Sequence, residues 1–131
     1  PPVQYSKVTI QSHHDKAVRT VMNFMVNRYA DSGISLKLAS SVTGVSRGKL
    51  NAILKQETGL TFSSYLNQLR LTEAARLLKE DASLNISEIA LSIGYNNVTY
   101  FKKLFKGPYG VTPIEYRSGR AEPLVADAQS C

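Results

Sequence analysis

Apolar residues recur at steps of three and four along most of the chain, which is the spacing that places them on one face of an α-helix. The longest such stripe, from about Phe62 to Lys79, predicts the longest helix. Shorter stripes predict six further helices, at about residues 15–31, 36–43, 47–58, 86–93, 98–106 and 113–117. The alternation typical of a strand is confined to one candidate, Val3 to Ile10. The chain is therefore predicted to be all-α, with about seven helices.

Capping residues mark the ends of several of these helices. Ser35 can cap the second helix, and Asn85 or Ser87 the fifth. The run Thr112-Pro113-Ile114-Glu115 combines a capping hydroxyl, a proline at the first helical position and a glutamate that completes a capping box. Gly107-Pro108 is predicted to stop the sixth helix.

The same stripes predict which side chains form the core. We expect burial of Val18, Val21, Met22, Met25, Val26 and Tyr29 in the first helix, Leu38, Ala39 and Val42 in the second, Leu50, Ile53 and Leu54 in the third, and Val98, Phe101, Leu104 and Phe105 in the sixth. In the longest helix the apolar residues are interrupted by Arg70, Glu73 and Arg76.

The chain also contains a weak copy of itself, displaced by 51 positions. Without a gap, this offset pairs Leu50 with Phe101, Leu54 with Phe105, Gly59 with Gly110 and Tyr65 with Tyr116. Upstream it pairs Leu38-Ala39 with Ile89-Ala90, Val42 with Ile93, and Ser46 with Asn97. A period of this length, met twice, predicts two similar helical units. The long helix between them would separate them by about 27 Å.

Each copy consists of a short helix, a tight turn and a second helix, the arrangement that places one exposed helix in the major groove of DNA. Advancing 100° per residue from Leu50 or Phe101 gives the positions that face away from the core. They are Gly48, Asn51, Ala52, Lys55 and Gln56 in the first copy, and Thr99, Tyr100, Lys102, Lys103 and Lys106 in the second.

These outward side chains have the chemistry needed to contact DNA. Asn51 can bond adenine at two atoms, Lys103 can donate to guanine, and Thr99 can bond a base or touch a thymine methyl group. Phosphate contacts, which position a protein without reading sequence, suit the cations Arg47, Lys49, Lys55, Lys102 and Lys106. Exposed amides at the helix starts near Ser46 and Asn97 add anion contacts.

The net charge agrees with a polyanionic partner. The 131 residues carry a formal charge of +6. Residues 35–117 hold 11 Lys or Arg and 6 Asp or Glu, so most of the excess lies in the predicted helical region. A chain of this size has enough apolar material for one or two compact lobes, and not for a large enzyme.

No catalytic or metal site can be assembled from the sequence. His13-His14 lies before the first helix with only Asp15 beside it, and Cys131 lies in a predicted polar tail without a base. No glycine loop of the kind that cradles phosphate is present. We therefore expect no enzyme activity, no metal and no cofactor, and a cytoplasmic protein without a membrane span.

Several motifs in the sequence resemble those of a known family. Ile89-Ala90, Gly94-Tyr95, Tyr100-Phe101, Phe105-Lys106, Gly110-Val111-Thr112-Pro113 and Tyr116-Arg117 look like the signature of the AraC/XylS transcription regulators, and Leu66, Arg70-Leu71, Ala74 and Leu77-Leu78 match that family's linking helix. The resemblance covers about residues 15–117. It implies seven helices, with two helix-turn-helix lobes joined by a rigid helix and recognising adjacent major grooves on one face of DNA.

The resemblance also implies boundaries and contact residues. Lobe one would cover about residues 15–62, the linker helix 63–79 and lobe two 83–117, with an extension at 1–14. From Ser118 onward the residues are small, polar and without a helical period, so we separately expect a disordered tail at 118–131. Base-reading positions of the family correspond to Gly48, Asn51 and Ala52 in the first lobe and to Thr99, Tyr100 and Lys103 in the second. Phosphate contacts are expected from Ser46, Arg47, Lys49, Lys55, Asn97, Lys102 and Lys106.

Two functions remain open on the sequence. The first is a regulator of transcription, an activator, that binds promoter or operator DNA and contacts RNA polymerase. Because the chain begins Pro1-Pro2, we expect a longer protein, with a sensor or dimerisation domain upstream. The alternative is a helical protein-interaction module without sequence-specific DNA binding. Only the first predicts duplex affinity that falls steeply with salt.

Overall fold

The computed structural model of the protein describes residues 12–119, and within this range every regular element is helical. The seven helices are α1 (Ser12–Arg28), α2 (Leu36–Thr43), α3 (Arg47–Thr58), α4 (Phe62–Glu80), α5 (Ile86–Ser92), α6 (Val98–Tyr109) and α7 (Pro113–Arg117). The all-α prediction is confirmed. The candidate strand Val3 to Ile10 and most of the predicted tail lie outside the described residues.

Two compact units make up the chain. The first contains α1, α2, α3 and the start of α4 as far as Leu66. The second contains the remainder of α4 from Asn67, followed by α5, α6 and α7, together with the short segment Tyr29–Gly33. Helix α4 therefore contributes residues to both units.

The core of the first unit is built from the faces that the helical stripes predict. Val21, Met25, Ala39, Leu50 and Leu54 are completely inaccessible to solvent. Ser35 caps α2 by accepting a hydrogen bond from the Leu38 amide, as predicted. Gly44 ends α2 in the left-handed region at φ 73°, where glycine carries no steric penalty.

The second unit has an aromatic core. Phe101 and Phe105 are fully buried on α6, and the rings of Tyr109 and Tyr116 pack against Phe105 with centroids 4.3 and 5.4 Å away. Helices α5 and α7 both begin with complete capping boxes, Asn85 with Glu88 and Thr112 with Glu115. Asn85, rather than Ser87, is thus the cap of α5.

The predicted end of α6 was wrong. The helix continues through Gly107 and Pro108 to Tyr109, and it ends only at Gly110, whose amide bonds the Lys106 carbonyl. A proline removes one helical hydrogen bond, and in the last turn that loss is small beside side-chain packing. The Tyr109 ring stacks on Phe105 with the planes 6° apart, and this contact holds the final turn.

Upstream of α3 and α6, the two copies of the repeat are offset by a different number of residues from the 51 that the sequence predicts. The N-caps Ser35 and Asn85, and the turn glycines Gly44 and Gly94, are 50 positions apart. The N-caps of α3 and α6, Ser46 and Asn97, are 51 apart. The second turn therefore contains one extra residue.

This shift accounts for one of two errors in the predicted core, and the other error has a separate cause. Val42 is 54% exposed, and with the corrected offset of 50 its equivalent in the second unit is the exposed Ser92 and not the buried Ile93. In α1, Val26 is 51% exposed, since the stripe that is buried there runs through Val21 and Met25.

Candidate nucleic-acid interface

Helix α3 is buried on one side and exposed on the opposite side. Leu50, Ile53 and Leu54 anchor it in the core of the first unit. Gly48 and Ala52 lie one turn apart on the opposite side, and both are exposed. A side chain at Gly48 would meet no atom within 4 Å, so this part of the helix surface is open.

The cations predicted around α3 are all on the surface. Arg47, Lys49 and Lys55 are exposed, and the only acidic residue of the helix is Glu57 in its last turn. Ser46 caps the helix, its hydroxyl oxygen accepting from the Lys49 amide at 3.3 Å. The hydroxyl hydrogen can still be donated to a phosphate oxygen.

Asn51 has a structural contact that the sequence did not predict. Its side-chain oxygen accepts a hydrogen bond from the backbone N–H of Phe62 at 3.2 Å, and the residue is half-buried. Phe62 is the first residue of α4, where amides have no partner within the helix. The side-chain oxygen of Asn51 therefore caps the next helix. The side-chain NH₂ group is not used in this bond and can still donate to a base.

Helix α6 has the same design and a more basic outer face. Phe101 and Phe105 hold it in the core, while Thr99, Lys102, Lys103 and Lys106 are exposed. Tyr100 is 51% exposed, although its neighbour Phe101 is fully buried. No acidic residue occurs within the helix.

The start of α6 is capped by Asn97. Its side-chain oxygen accepts from the Tyr100 amide at 3.0 Å. Asn97 and Ser46 both keep a side-chain donor that can bind an anion at the helix start. In Asn97 this donor is the NH₂ group, and in Ser46 it is the hydroxyl. The caps are structurally equivalent, as the 51-residue offset predicts.

Arg70 and Tyr95 lie behind this face, and the prediction did not include either among the functional residues. Arg70 is 7% exposed although it is an arginine on a helix, and its guanidinium carbon lies 4.9 Å from the centre of the Tyr95 ring. A signal was present in the sequence: Leu66, Arg70, Ala74 and Leu78 follow one another at four-residue steps, and all four are buried. An arginine in such a row is expected to bury its side chain.

Residues 12–119 hold neither a candidate metal site nor a membrane-spanning helix. No group of three or more His, Cys, Asp or Glu side chains that could hold a metal ion occurs in this part of the chain. None of the described helices has the length and apolar character needed to cross a membrane. His13-His14 and Cys131 belong to the part whose side chains are not described.

Comparison with known proteins identifies the family. The helix-turn-helix domain family matches residues 39–119, more than half of the chain. The xylose operon regulatory protein of Escherichia coli (strain K12) is 33% identical over 128 residues, which are 95% of this chain and 32% of that protein. The chain thus spans about a third of this relative.

Solved structures agree with the sequence match. The C-terminal domain of AraT, a response regulator from Geobacillus stearothermophilus, is 34% identical with a TM-score of 0.74, covering 79% of this chain and 85% of that one. A transcriptional regulator of the AraC-type DNA-binding class from Chromobacterium violaceum is 27% identical with a TM-score of 0.70, covering 86% and 98%. The chain belongs to the AraC/XylS family of helix-turn-helix transcription regulators, whose characteristic domain binds DNA.

Proposed function

We propose that the chain binds double-stranded DNA sequence-specifically, with α3 and α6 as the two helices that enter major grooves. The observation that carries this proposal is the repeated design of these helices. Each has a capped start, a fully buried apolar face and an outer face on which every charged residue of the first two turns is a cation. A protein-interaction helix has no need for this arrangement twice at equivalent positions.

Helix α6 makes the larger contribution to base reading. Thr99 and Lys103 are one turn apart and exposed, and Tyr100 flanks them with half of its surface free. Lys103 donates to guanine O6 or N7, while Thr99 bonds a base or touches a thymine methyl group. These three residues therefore select the bases at the site of the second helix.

Helix α3 reads fewer bases. Gly48 has no side chain, and Ala52 offers only a methyl group for contact with a thymine methyl. Asn51 already uses its oxygen to cap α4, so a contact with adenine at two atoms would require that oxygen to accept twice. The first helix thus recognises DNA through close approach and one amide donor.

Phosphates are contacted by the surrounding donors. The proposed set consists of Ser46, Arg47, Lys49 and Lys55 in the first unit, and of Asn97, Lys102 and Lys106 in the second. The five cations in this group determine how steeply the affinity for DNA falls with salt. With five phosphates neutralised, the log-log slope of affinity against salt is about −4.5.

The finer assignments follow the family design. We propose that the two helices occupy successive major grooves on one side of promoter DNA, about 34 Å apart. The chain would be the DNA-binding part of a longer cytoplasmic activator, located at the nucleoid when bound. RNA polymerase, and a sensor or dimerisation domain in the rest of that protein, would be its partners.

Selection of preferred duplexes from a random pool tests the function, followed by titration of the selected duplex in increasing salt. We expect a defined consensus, a slope of about −4.5 and a footprint of about two helical turns. Retention of no duplex, or affinity indifferent to both salt and sequence, would favour the protein-interaction module. A footprint of one short patch would exclude simultaneous docking of both helices.

A further inference from the structure

Arg70 lies within α4, where its side chain is held at three points. Its Nε donates to the carbonyl of Tyr29 at 2.6 Å, and its Nη2 donates to the carbonyl of Asp31 at 2.9 Å. Two donors of one planar guanidinium thus bond two carbonyls of the segment before α2. Burial lowers the pKa of Arg70, and the nearby Tyr95 and Asp31 oppose that shift.

The third contact of Arg70 is with the turn between α5 and α6. Gly94 has a φ of 102°, and a Cβ at this position would come within 2.8 Å of Arg70 Nη2. The turn therefore approaches the guanidinium as closely as a glycine allows. The next residue, Tyr95, places its ring below the guanidinium in a cation–π contact at 4.9 Å.

Tyr95 is in turn fixed on its other sides. It is 4% exposed, and its hydroxyl donates to the side-chain oxygen of Asn67 at 2.6 Å. Its ring lies 5.7 Å from that of Phe101. With one face against a cation, its hydroxyl bonded and its ring against the core, Tyr95 has a single available orientation.

This fixed ring meets the ring of Tyr100. The two ring centroids are 6.2 Å apart and the planes are inclined by 74°, which is the edge-to-face geometry that aromatic pairs prefer. Tyr100 is the third residue of α6, and half of its surface is open to solvent. The contact chain from Arg70 through Tyr95 thus ends at a proposed base-reading side chain.

We propose that Arg70 and Tyr95 are positioning residues that set the orientation of the Tyr100 ring before DNA is bound, and so sharpen base preference at the step which Tyr100 contacts. This inference rests on the proposed function. A preset ring loses less rotamer freedom on binding than a free one, and the saving applies only to bases that fit the preset orientation. The device acts on discrimination at one base step more than on overall affinity.

Arg70→Lys and Tyr95→Leu interrupt the chain of contacts at different points. A lysine has no planar fork with which to hold both carbonyls in the same way, and a leucine removes the ring that meets Tyr100. Tyr100→Ala gives the reference for complete loss of the reading side chain. Circular dichroism and thermal melting of each variant measure the folded fraction, and only folded protein is compared.

Arg117→Lys is the matched control. Arg117 makes the same kind of fork in the second unit, with Nε to the Leu78 carbonyl and Nη2 to the Asp81 carbonyl, both at 3.1 Å. These bonds go to the end of α4 rather than to the turn before α6. The control therefore loses the same kind of fork, from a partly buried arginine, with no expected effect on Tyr100.

Base preference at every position of the selected duplex is then measured for each protein. For Arg70→Lys and Tyr95→Leu we expect discrimination to fall about 3- to 10-fold at the one step that Tyr100→Ala identifies, with the other steps unchanged. Arg117→Lys should leave the whole profile unchanged. If Tyr100→Ala relaxes a step and the two variants do not, the positioning role is overturned while DNA reading stands.

A measurement without DNA tests the same claim in the free protein. Side-chain NMR of labelled tyrosine should show one orientation for Tyr100 in the wild type and rotamer averaging in Arg70→Lys and Tyr95→Leu. Equal averaging in wild type and variants would contradict the positioning role, whatever the protein binds. If the wild type retains no duplex while Tyr100 is ordered, the proposed function fails and the preset ring remains.

Discussion

The side-chain oxygen of Asn51 accepts a hydrogen bond from the backbone N–H of Phe62, and the equivalent pair in the second unit, Lys102 and Pro113, needs no such bond because proline has no N–H. Both pairs occupy the same places in the repeat. The first residue of each pair lies on α3 or α6, and the second begins the helix that follows. The proline of the second unit releases its partner position from capping, so that α6 carries a surface lysine where α3 carries a capping amide.

The first prediction concerns these two positions. Asn51→Ala leaves the Phe62 amide without its acceptor, and we expect it to lower the free energy of unfolding by about 1 kcal/mol. Lys102→Ala, on the exposed equivalent position, should change stability by less than about 0.5 kcal/mol. Urea denaturation followed by circular dichroism measures both. Equal losses in the two variants would contradict the capping role of Asn51.

A second prediction separates base reading from phosphate contact on α6. Lys103→Ala should weaken binding to the preferred duplex by roughly 1 to 3 kcal/mol and relax selectivity at one base position. Lys106→Ala, one turn further along the helix, should weaken all duplexes about equally and reduce the salt slope by about 1. Fluorescence titrations against single-base variants of the duplex measure this. A uniform loss with Lys103→Ala would make it a phosphate contact.

The two turn glycines should differ in their tolerance of a side chain. Gly44→Ala incurs only the left-handed backbone penalty, about 1 to 2 kcal/mol, because no atom lies within 4 Å of the new Cβ. Gly94→Ala adds a clash with the Arg70 guanidinium at 2.8 Å, and a further loss of roughly 1 to 3 kcal/mol is expected. Thermal melting of both variants tests this order, and a Gly44 variant as damaged as the Gly94 variant would contradict it.

Because the phenol of Tyr95 is buried, we expect the protein to lose stability at alkaline pH. Burial raises the pKa of its phenol to about 12, and the charge of Arg70 only partly opposes that shift. An unfolded tyrosine ionises near pH 10, so between about pH 10 and 12 the folded state holds a proton that the unfolded state has lost. The contribution of Tyr95 to stability is therefore complete below about pH 10 and is lost as pH rises through this window.

Tyr95→Phe isolates this contribution. The variant lacks the hydrogen bond to Asn67, so it should be less stable by about 1 kcal/mol at neutral pH. Its stability should then fall less steeply than that of the wild type above pH 10, and the two curves should converge. Urea midpoints from pH 8 to pH 11.5 provide the comparison, with parallel curves as the contradicting result.

Local features were predictable because they depend on neighbours in the sequence. The cap of α2 at Ser35 and the capping box of Thr112 with Glu115 each involve residues three positions apart. Exposure of Thr99 and Lys103 followed from the helical period and one known core position. The two-unit organisation was visible as a repeat, since equivalent core positions such as Leu54 and Phe105 keep their apolar character.

The sequence by itself thus determined the seven helices, the outward faces of α3 and α6 and the family. The tertiary structure decided which polar side chains of the helices form hydrogen bonds with other segments of the chain. It put the oxygen of Asn51 on an amide 11 positions away and the guanidinium of Arg70 on a carbonyl 41 positions away. It also placed Val42 on the surface, although the 51-residue offset pairs Val42 with the buried Ile93. Periodicity reports the face on which a side chain lies, whereas its partner depends on which backbone groups remain unbonded after the helices have packed.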